Sequence, residues 1–285
     1  MKTVVLDPGH GGWDSGAVAI DGRPEKDFTL SLGLAVRDEL VSGWECSVVM
    51  TRETDTALAP PDNLAAELRE RARVANRARA DLLVSLHHDN TGNPDVRGGS
   101  LWIWTSKRNP ADKSSLAWLP AAGNHTDPKT YPIAKVAVGI IRDTLAGLGV
   151  PWRSWGDPEG IACADFGVLR HTEAPAFLVE CFHGSNRDDV AAARKPGFIP
   201  SLAHGIARAI AVALALPARA LVWEAPMVKV ILPDGREVWG TLRGDRTYVM
   251  LPGTDVEVPL RAVAEAMGCR VEWCSKPPTA RVVRP

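Results

Sequence analysis

Apolar and polar positions along the chain alternate between two kinds of segment. Five short runs of aliphatic or β-branched residues, bounded by glycine, proline or charged residues, are typical of buried strands. These runs are Val4–Leu6, Ser47–Met50, Leu82–Leu86, Ser100–Trp104 and Ala176–Val179. Four longer segments repeat apolar residues on one helical face. These predicted helices are Glu25–Leu40, Asp62–Ala80, Ile133–Leu148 and Ile199–Leu216. The alternation predicts an α/β fold, with a twisted, mostly parallel sheet flanked by helices.

The pattern changes near Leu216-Pro217, where a linker begins that runs to about Pro226. In the tail that follows, the pattern of apolar and polar residues predicts short strands and one helix. Its predicted strands are Val228–Leu232, Glu237–Leu242, Thr247–Met250, Arg270–Trp273 and Ala280–Val283, and its predicted helix is Leu260–Met267. We therefore predict two domains, residues 1–217 and residues 226–285, of which the second is a small α+β domain. Within the first domain, the segment Ser106–Pro132 predicts an irregular loop.

Charge and hydropathy narrow the classes of partner. The chain has 33 Lys and Arg against 34 Asp and Glu, a formal net charge of -1. Such a balance provides no overall field that would attract nucleic acid, so we expect no nucleic-acid partner. No window contains the roughly 18 consecutive apolar residues of a membrane-spanning helix, so we expect no integral membrane association. No pattern in the sequence specifies an oligomeric state.

The cysteines and the first residues suggest a compartment. The five cysteines are scattered, odd in number and without a C-x-x-C pair, which predicts neither a disulfide framework nor a thiolate zinc site. We expect reduced, mostly buried thiols. Met1-Lys2 leads directly into an apolar strand and a glycine-rich turn, without the basic and apolar regions of a secretory signal. We therefore expect synthesis in the cytoplasm without an export signal.

Two histidines and a glutamate are candidates for one metal centre. His10 follows the first strand in a glycine-rich turn, and His87 follows the strand Leu82–Leu86. Parallel strands bring both side chains to the same edge of the sheet. Glu25 begins a predicted helix, so its side chain leans back toward these loops. Two imidazoles, one carboxylate and a fourth position for water form the ligand set of a catalytic zinc ion. Taken singly, each residue also fits an ordinary structural role.

Glu180 is the candidate catalytic acid or base. It ends the apolar strand that begins at Ala176, which places a carboxylate at the same sheet edge as the metal candidates. An isolated glutamate at a strand end is also compatible with a solvated or salt-bridged role. Asp7 and Asp14 are candidates to accept the second N–H of a ligand imidazole, or to stabilise the turn.

Several motifs resemble one family in order and spacing. LDPGHGGWDSGA at Leu6–Ala17 is followed by Glu25-Lys26-Asp27, Thr51-Arg52, Arg71, Ser85-Leu86-His87 and Val179-Glu180. Together they resemble the zinc-dependent N-acetylmuramoyl-L-alanine amidases of the type 3 family, over about residues 2 to 215. The resemblance implies zinc on His10, Glu25 and His87, with Glu180 catalytic. It also implies hydrolysis of the amide bond between N-acetylmuramic acid and L-alanine in peptidoglycan.

Two positions depart from the family pattern. His88 stands where the family usually has a small residue after its second histidine ligand, and Phe182-His183 stands where Gly-Phe is usual. We predict His183 as a substrate-binding residue, with an ordinary hydrogen-bonded histidine as the alternative. These departures leave the substrate contacts around the metal residues open.

The tail resembles a second family. The segment Val258–Trp273 is similar to the copper amine oxidase N-terminal-like domain, although no His-rich or Cys/His cluster in it suggests copper. Domains of this kind are often attached to bacterial cell-surface enzymes, which implies cell-wall targeting. Trp239 and Trp273 are candidates to stack on sugars, or to be core residues of a small domain.

The resemblance and the lack of an export signal together suggest a phage or prophage endolysin, released to the wall after synthesis. The alternatives are a host amidase of sporulation or autolysis, a peptidoglycan-binding module without catalysis, and a zinc peptidase that cuts the stem peptide. A module without catalysis predicts damage to the metal residues or to Glu180, and all four residues are present. Analysis of the products of digestion distinguishes the peptidase from an amidase.

Overall fold

A computed structural model describes residues 1–107 and 118–219 in full. Beyond them it describes the strands of a second sheet, together with Leu260 and Ala264. The chain divides into two compact units, Met1–Arg219 and Ala220–Pro285.

The first unit alternates strands and helices. Its strands are β1 (Lys2–Pro8), β2 (Cys46–Met50), β3 (Leu82–Asp89), β4 (Ser100–Trp104), β5 (Leu119–Pro120), β6 (Ile161–Ala164) and β7 (Ala176–His183). Its helices are α1 (Glu25–Gly43), α2 (Leu64–Arg77), α3 (Thr130–Gly147), α4 (Gly167–His171), α5 (Arg187–Ala193) and α6 (Phe198–Leu214). All five predicted strands and all four predicted long helices are present, with ends shifted by a few residues.

The seven strands form one mixed sheet in the order β2-β1-β3-β7-β4-β6-β5. The neighbours β2, β1, β3 and β7 are mutually parallel, whereas β4 runs antiparallel to β7 and β5 antiparallel to β6. The predicted α/β class with a mostly parallel sheet is therefore confirmed. Because β1, β3 and β7 are parallel neighbours, their carboxyl ends meet at one edge of the sheet.

Helices cover both faces of this sheet. On one face α1, α3 and α6 pack around fully buried Leu6, Val36 and Phe177. On the other face α2 and α4 pack against a smaller cluster that includes Leu83 and Leu178. Strands buried on both faces have near-continuous apolar sequences, which is why the strand runs could be recognised.

Some elements differ from the sequence prediction. Two strands that were not predicted, β5 and β6, extend the sheet beyond β4. The helices α4 and α5 were not predicted either, because they are too short to show a helical period of apolar residues. The irregular loop predicted over Ser106–Pro132 is wrong at Leu119–Pro120, which pairs with β6, and at its end, where α3 begins at Thr130. Residues 108–117 of that loop lie outside the described residues.

The second unit contains a six-stranded sheet. Its strands are β8 (Met227–Ile231), β9 (Glu237–Arg243), β10 (Arg246–Met250), β11 (Glu257–Pro259), β12 (Arg270–Ser275) and β13 (Pro278–Val283). They lie in the order β11-β10-β9-β8-β13-β12. The helix predicted over Leu260–Met267 falls largely outside the described residues. Trp239 lies in β9 and Trp273 in β12, and sugar stacking by them stays a prediction.

Three cysteines of the first unit, Cys46, Cys163 and Cys181, are buried free thiols. Within the described residues no single helix is long and apolar enough to cross a membrane. The pair α5 and α6 passes a test of length and composition together, but the two helices meet at 86° and α6 packs against α1 and α3.

Candidate metal and catalytic site

The three metal candidates converge at the carboxyl edge of the sheet. His10, Glu25 and His87 each offer one ligand atom, and these atoms lie within 4.8 Å of one another. Glu25 lies between the two rings, with Oε2 3.1 Å from His10 Nε2 and Oε1 2.8 Å from His87 Nδ1. The two imidazole rings meet edge to face, with centroids 4.9 Å apart.

Three different local structures place these side chains. His10 leaves β1 with a φ of 62°, a left-handed conformation that is uncommon for a residue with a side chain. Glu25 is the first residue of α1, and its carboxylate accepts N–H groups from Ala17 and His88 at 3.0 and 3.1 Å. His87 lies within β3, which continues two residues further to Asp89. Backbone N–H groups thus hold the Glu25 carboxylate in place independently of any cation.

Asp14 sets the orientation of the His10 ring. Its Oδ2 lies 2.8 Å from His10 Nδ1, so Nδ1–H donates to the carboxylate and Nε2 is directed at Glu25. Burial by itself lowers the pKa of His10, but hydrogen bonds with Asp14 and Glu25 outweigh it and raise the pKa to about 9. Burial also tends to raise the pKa of Glu25, but the two imidazoles hold it well below its usual range. Of the two aspartates predicted to accept from a ligand imidazole, Asp14 is thus the one that contacts a metal candidate, His10.

Two buried arginines hold the backbone that carries His10. Arg52 donates to the carbonyl oxygens of Pro8 and Gly9 at 3.0 and 2.9 Å. Arg71 donates to the carbonyls of Pro8 and His10 at 2.8 and 2.6 Å. Since the left-handed turn at His10 satisfies few of its own carbonyls, these guanidinium groups replace the missing partners. The sequence marks both arginines as motif residues, but their role emerges only from the fold.

Asp7 belongs to this supporting network. Its carboxylate accepts hydrogen bonds from Arg71, Thr51 and Ser85 at 2.7 to 2.8 Å. Burial alone tends to raise the pKa of Asp7, but Arg71 and the two hydroxyls lower it below its ordinary value. The alternative in which Asp7 accepts from a ligand imidazole is wrong, because its position in β1 points its side chain at Ser85 and Arg71.

Removing the Arg71 guanidinium should destabilise the first compact unit strongly. In Arg71→Met the carboxylates of Asp7 and Glu67 stay buried without their partner, and breaking a buried ion pair from one side costs about 3–5 kcal/mol. Urea unfolding should show this loss. The control Arg73→Met removes an exposed arginine from the same helix and should change the free energy of unfolding by less than about 0.5 kcal/mol. A loss below about 1 kcal/mol in Arg71→Met would show that the pair is dispensable.

Glu180 lies beside the metal candidates. It pairs in register with His87 across β3 and β7, and residues paired in this way point to the same face of the sheet. Its Oε2 is shielded from solvent and has no hydrogen-bond partner among the described residues. Burial, together with the charges of Glu25 and Asp89, raises the pKa of Glu180 well above its ordinary value, and Arg153 opposes this shift. A carboxylate with a raised pKa is suited to accept a proton near neutral pH.

The other two histidines of the region are buried. His88 stacks on Phe182 with ring centroids 4.6 Å apart, on the opposite side of β3 from His87. His183 is fully buried; its Nδ1 lies 2.8 Å from Ser185 Oγ and its Nε2 lies 3.7 Å from Asp89 Oδ2. A substrate contact by His183 stays a prediction, and Asp89 lies between its ring and Arg153.

Sequence reasoning missed Asp89, Arg153 and Trp155. The Arg153 guanidinium donates to Asp89 Oδ2 at 3.0 Å and lies 3.9 Å from the centre of the Trp155 ring. Asp89 ends β3 after a bulge that separates its pairing from that of His87. No local pattern marks a loop arginine or a strand-end aspartate of this kind, because their roles depend on chain segments about 60 residues apart.

The site therefore combines two nitrogen donors and one carboxylate that could hold a metal ion with a second carboxylate, Glu180, that is held apart from them. This set matches a hydrolytic zinc centre with a separate proton-transfer group. Comparison with family models matches residues 4–212 to a family described as N-acetylmuramoyl-L-alanine amidase. The chain belongs to this amidase family.

Individual relatives support the assignment. The chain is 34% identical to the endolysin of Bacillus phage SPP1, over 74% of this chain and 65% of that protein. It is 35% identical to the probable N-acetylmuramoyl-L-alanine amidase AmiB of Haemophilus influenzae, over 66% of this chain and 46% of that protein. The chain thus spans less than two thirds of the length of either relative.

A solved structure confirms the fold of the first compact unit. The catalytic domain of CwlV, an N-acetylmuramoyl-L-alanine amidase from Paenibacillus polymyxa, matches with a TM-score of 0.60 and 28% identity. The match covers 76% of this chain and 99% of the CwlV domain. The matched share fits the first compact unit, which carries all four candidate residues, His10, Glu25, His87 and Glu180.

Proposed function

We propose that this protein hydrolyses the amide bond between N-acetylmuramic acid and L-alanine in peptidoglycan, with a zinc ion held by His10, Glu25 and His87 and with Glu180 as the proton-transfer group. The convergence of three ligand atoms beside Glu180 is the observation that carries the proposal. Membership of the amidase family supports the substrate and the bond.

The donor set fits zinc. Two imidazole nitrogens and one carboxylate oxygen, without a thiolate, leave a position for water as in catalytic zinc sites. Glu25 lies within hydrogen-bond distance of both imidazoles, and metal ligands bind in their deprotonated form, so a zinc ion would replace these hydrogen bonds. Asp14 holds Nδ1–H of His10, which leaves Nε2 as the donor atom.

When bound, zinc polarises a carbonyl oxygen and lowers the pKa of a water molecule. Glu180 accepts a proton from this water and later returns it to the departing L-alanine nitrogen, a role supported by its Oε2, which is shielded and has no partner among the described residues. Backbone donors hold Glu25 and Asp14 holds His10 during this transfer, and His87 is in turn hydrogen-bonded to Glu25.

Digestion of purified peptidoglycan tests the reaction. We expect release of peptides with free N-terminal L-alanine, detected by mass spectrometry, and loss of this release when a chelator removes the metal. New sugar reducing ends alone, or cuts within the stem peptide, would assign the protein to another class of hydrolase. Unchanged activity in chelator would refute the role of zinc, and binding to the wall without any cleavage would favour a non-catalytic module.

A lytic role in a phage is the setting that the likeness to the SPP1 endolysin supports. In this setting the protein is made in the cytoplasm and acts on the wall after release. A host amidase of sporulation or autolysis is the second candidate, supported by 44% identity over 93 residues with a germination-specific amidase of Bacillus subtilis.

The second compact unit, Ala220–Pro285, is proposed to target the enzyme to the cell wall. A chain that ends at Arg219 should sediment less with purified walls than the full chain, while it cleaves soluble muropeptides at the same rate. Equal sedimentation of both chains would remove this role. Equal cleavage of soluble substrate is the internal control that the catalytic unit is intact.

A further inference from the structure

Arg153 is held rigidly beside the catalytic centre. Its guanidinium carbon lies 3.9 Å from the centre of the Trp155 ring, and one of its nitrogens donates to Asp89 Oδ2 at 3.0 Å. Its backbone N–H donates to the carbonyl of Gly99 at 2.9 Å. The side chain is 22% exposed, so it is neither buried in the core nor free in solvent. Stacking and an ion pair together restrict the position of a side chain that is usually mobile.

The same contacts place Arg153 on the face of the sheet that carries Glu180. Ser100, next to Gly99, pairs in register with Glu180 across β4 and β7. Trp155 packs on Trp102, which lies two residues after Ser100 on the same face, with ring centroids 4.8 Å apart. Trp102 Nε1 donates to Ser100 Oγ at 2.9 Å, which confirms that the two side chains share this face. The guanidinium thus flanks the catalytic acid.

Arg153 retains donors for a ligand. An arginine has five N–H groups in a planar fork that matches a carboxylate, and within residues 1–107 and 118–219 its side chain has one hydrogen-bond partner, Asp89. A structural arginine in this protein has a different pattern: Arg71 makes hydrogen bonds to four separate residues and is only 2% exposed. Within the described residues, contacts of the fold therefore leave most N–H donors of Arg153 available to a ligand.

We propose that Arg153 is a specificity-determining residue that binds a free carboxylate of the stem peptide, with Trp155 as the platform that holds its guanidinium in place. The inference rests on the proposed function. In that substrate the lactyl carboxyl of muramic acid is consumed in the scissile amide, so the nearest free carboxylate belongs to the peptide beyond L-alanine. Binding there anchors the leaving peptide next to Glu180, which protonates its nitrogen.

Two matched muropeptides test the proposal. One has a free carboxyl on the residue after L-alanine, and the other has a carboxamide at the same atom. For the wild-type protein we expect a lower KM for the carboxylate substrate. Arg153→Met should raise the KM for this substrate by about 10- to 100-fold, since it loses a charge-assisted hydrogen bond, and should change kcat little. Its KM for the carboxamide should stay within about 2-fold.

Two further variants complete the test. Arg153→Lys keeps the charge without the planar fork, so its KM for the carboxylate should lie between those of the wild type and Arg153→Met. Arg142→Met removes an exposed arginine from α3, where it pairs with Asp143, and should leave both substrates unaffected. This control has the same change in net charge.

Each possible result either supports the proposal or overturns it. An equal loss on both substrates in Arg153→Met, expressed in kcat, would overturn the proposal and make Arg153 a positioning residue for Glu180. Unchanged KM on both substrates would overturn it as well. If the wild-type protein cleaves neither muropeptide, the proposed function itself fails, and the inference fails with it. Only a loss confined to the carboxylate substrate supports a carboxylate-binding site.

Discussion

Glu180→Gln should lose about 100- to 10,000-fold in kcat, the range that a positioned general acid–base group contributes. Glutamine has the same shape but cannot accept a proton at the shielded Oε2 position. The three metal candidates and their hydrogen bonds do not involve the Glu180 side chain, so zinc content should stay at the wild-type level. Steady-state kinetics on a soluble muropeptide and metal analysis of the same sample measure both quantities.

The control for this variant is Glu173→Gln, which changes an exposed acid that precedes β7 by a few residues. It carries the same change in charge and should keep full activity. Two results would contradict the role of Glu180. Retention of more than about a tenth of the wild-type kcat would show that another group moves the proton. Loss of zinc together with activity would show instead that Glu180 acts through the metal residues.

The four candidate residues can be predicted from the sequence because three of them lie at the ends of neighbouring parallel strands. His87 and Glu180 lie in the parallel neighbours β3 and β7, and His10 follows β1, the next parallel neighbour of β3, so the polar residues after these apolar runs meet at one edge. Glu25 joins them because a residue at the start of a helix faces back toward the preceding loops. Periodicity and parallel pairing are enough for this inference, since neither requires knowledge of distant contacts.

The supporting residues could not be predicted in the same way. Arg71 and Arg52 bind backbone carbonyls of the turn at His10, and no side-chain pattern reveals an unpaired carbonyl in advance. The strand β3 continues through His87 to Asp89, because its pairing with β7 continues past the bulge. Asp89 and Arg153 meet across 64 residues of sequence, a contact that only the assembled sheet creates.

Position 9 of the motif requires glycine for a reason that the sequence does not reveal. Gly11 and Gly12 have positive φ angles, but Gly9 does not. The backbone conformation at position 9 therefore does not require glycine. Space is what requires glycine: a Cβ at this position would lie 2.2 to 2.6 Å from three atoms of the His87 ring. The backbone cannot retreat, because Gly9 N–H donates to Leu86 at 3.0 Å and its carbonyl accepts from Arg52 and Thr29.

Gly9→Ala should therefore push the His87 ring away from Glu25 and weaken zinc binding by about 10- to 100-fold, the range found when the support of a ligand is disturbed. Competition with a chromogenic chelator measures this affinity, and activity at limiting zinc should fall in parallel. Gly139→Ala in α3 is the control, because a Cβ there meets nothing within 4 Å, and it should leave zinc affinity unchanged. Excess zinc should restore part of the Gly9→Ala activity, since the ligands themselves are intact. Wild-type affinity in Gly9→Ala would mean that His87 can bind the metal from another position, and that the close packing of this ring on Gly9 is not what holds the ligand in place.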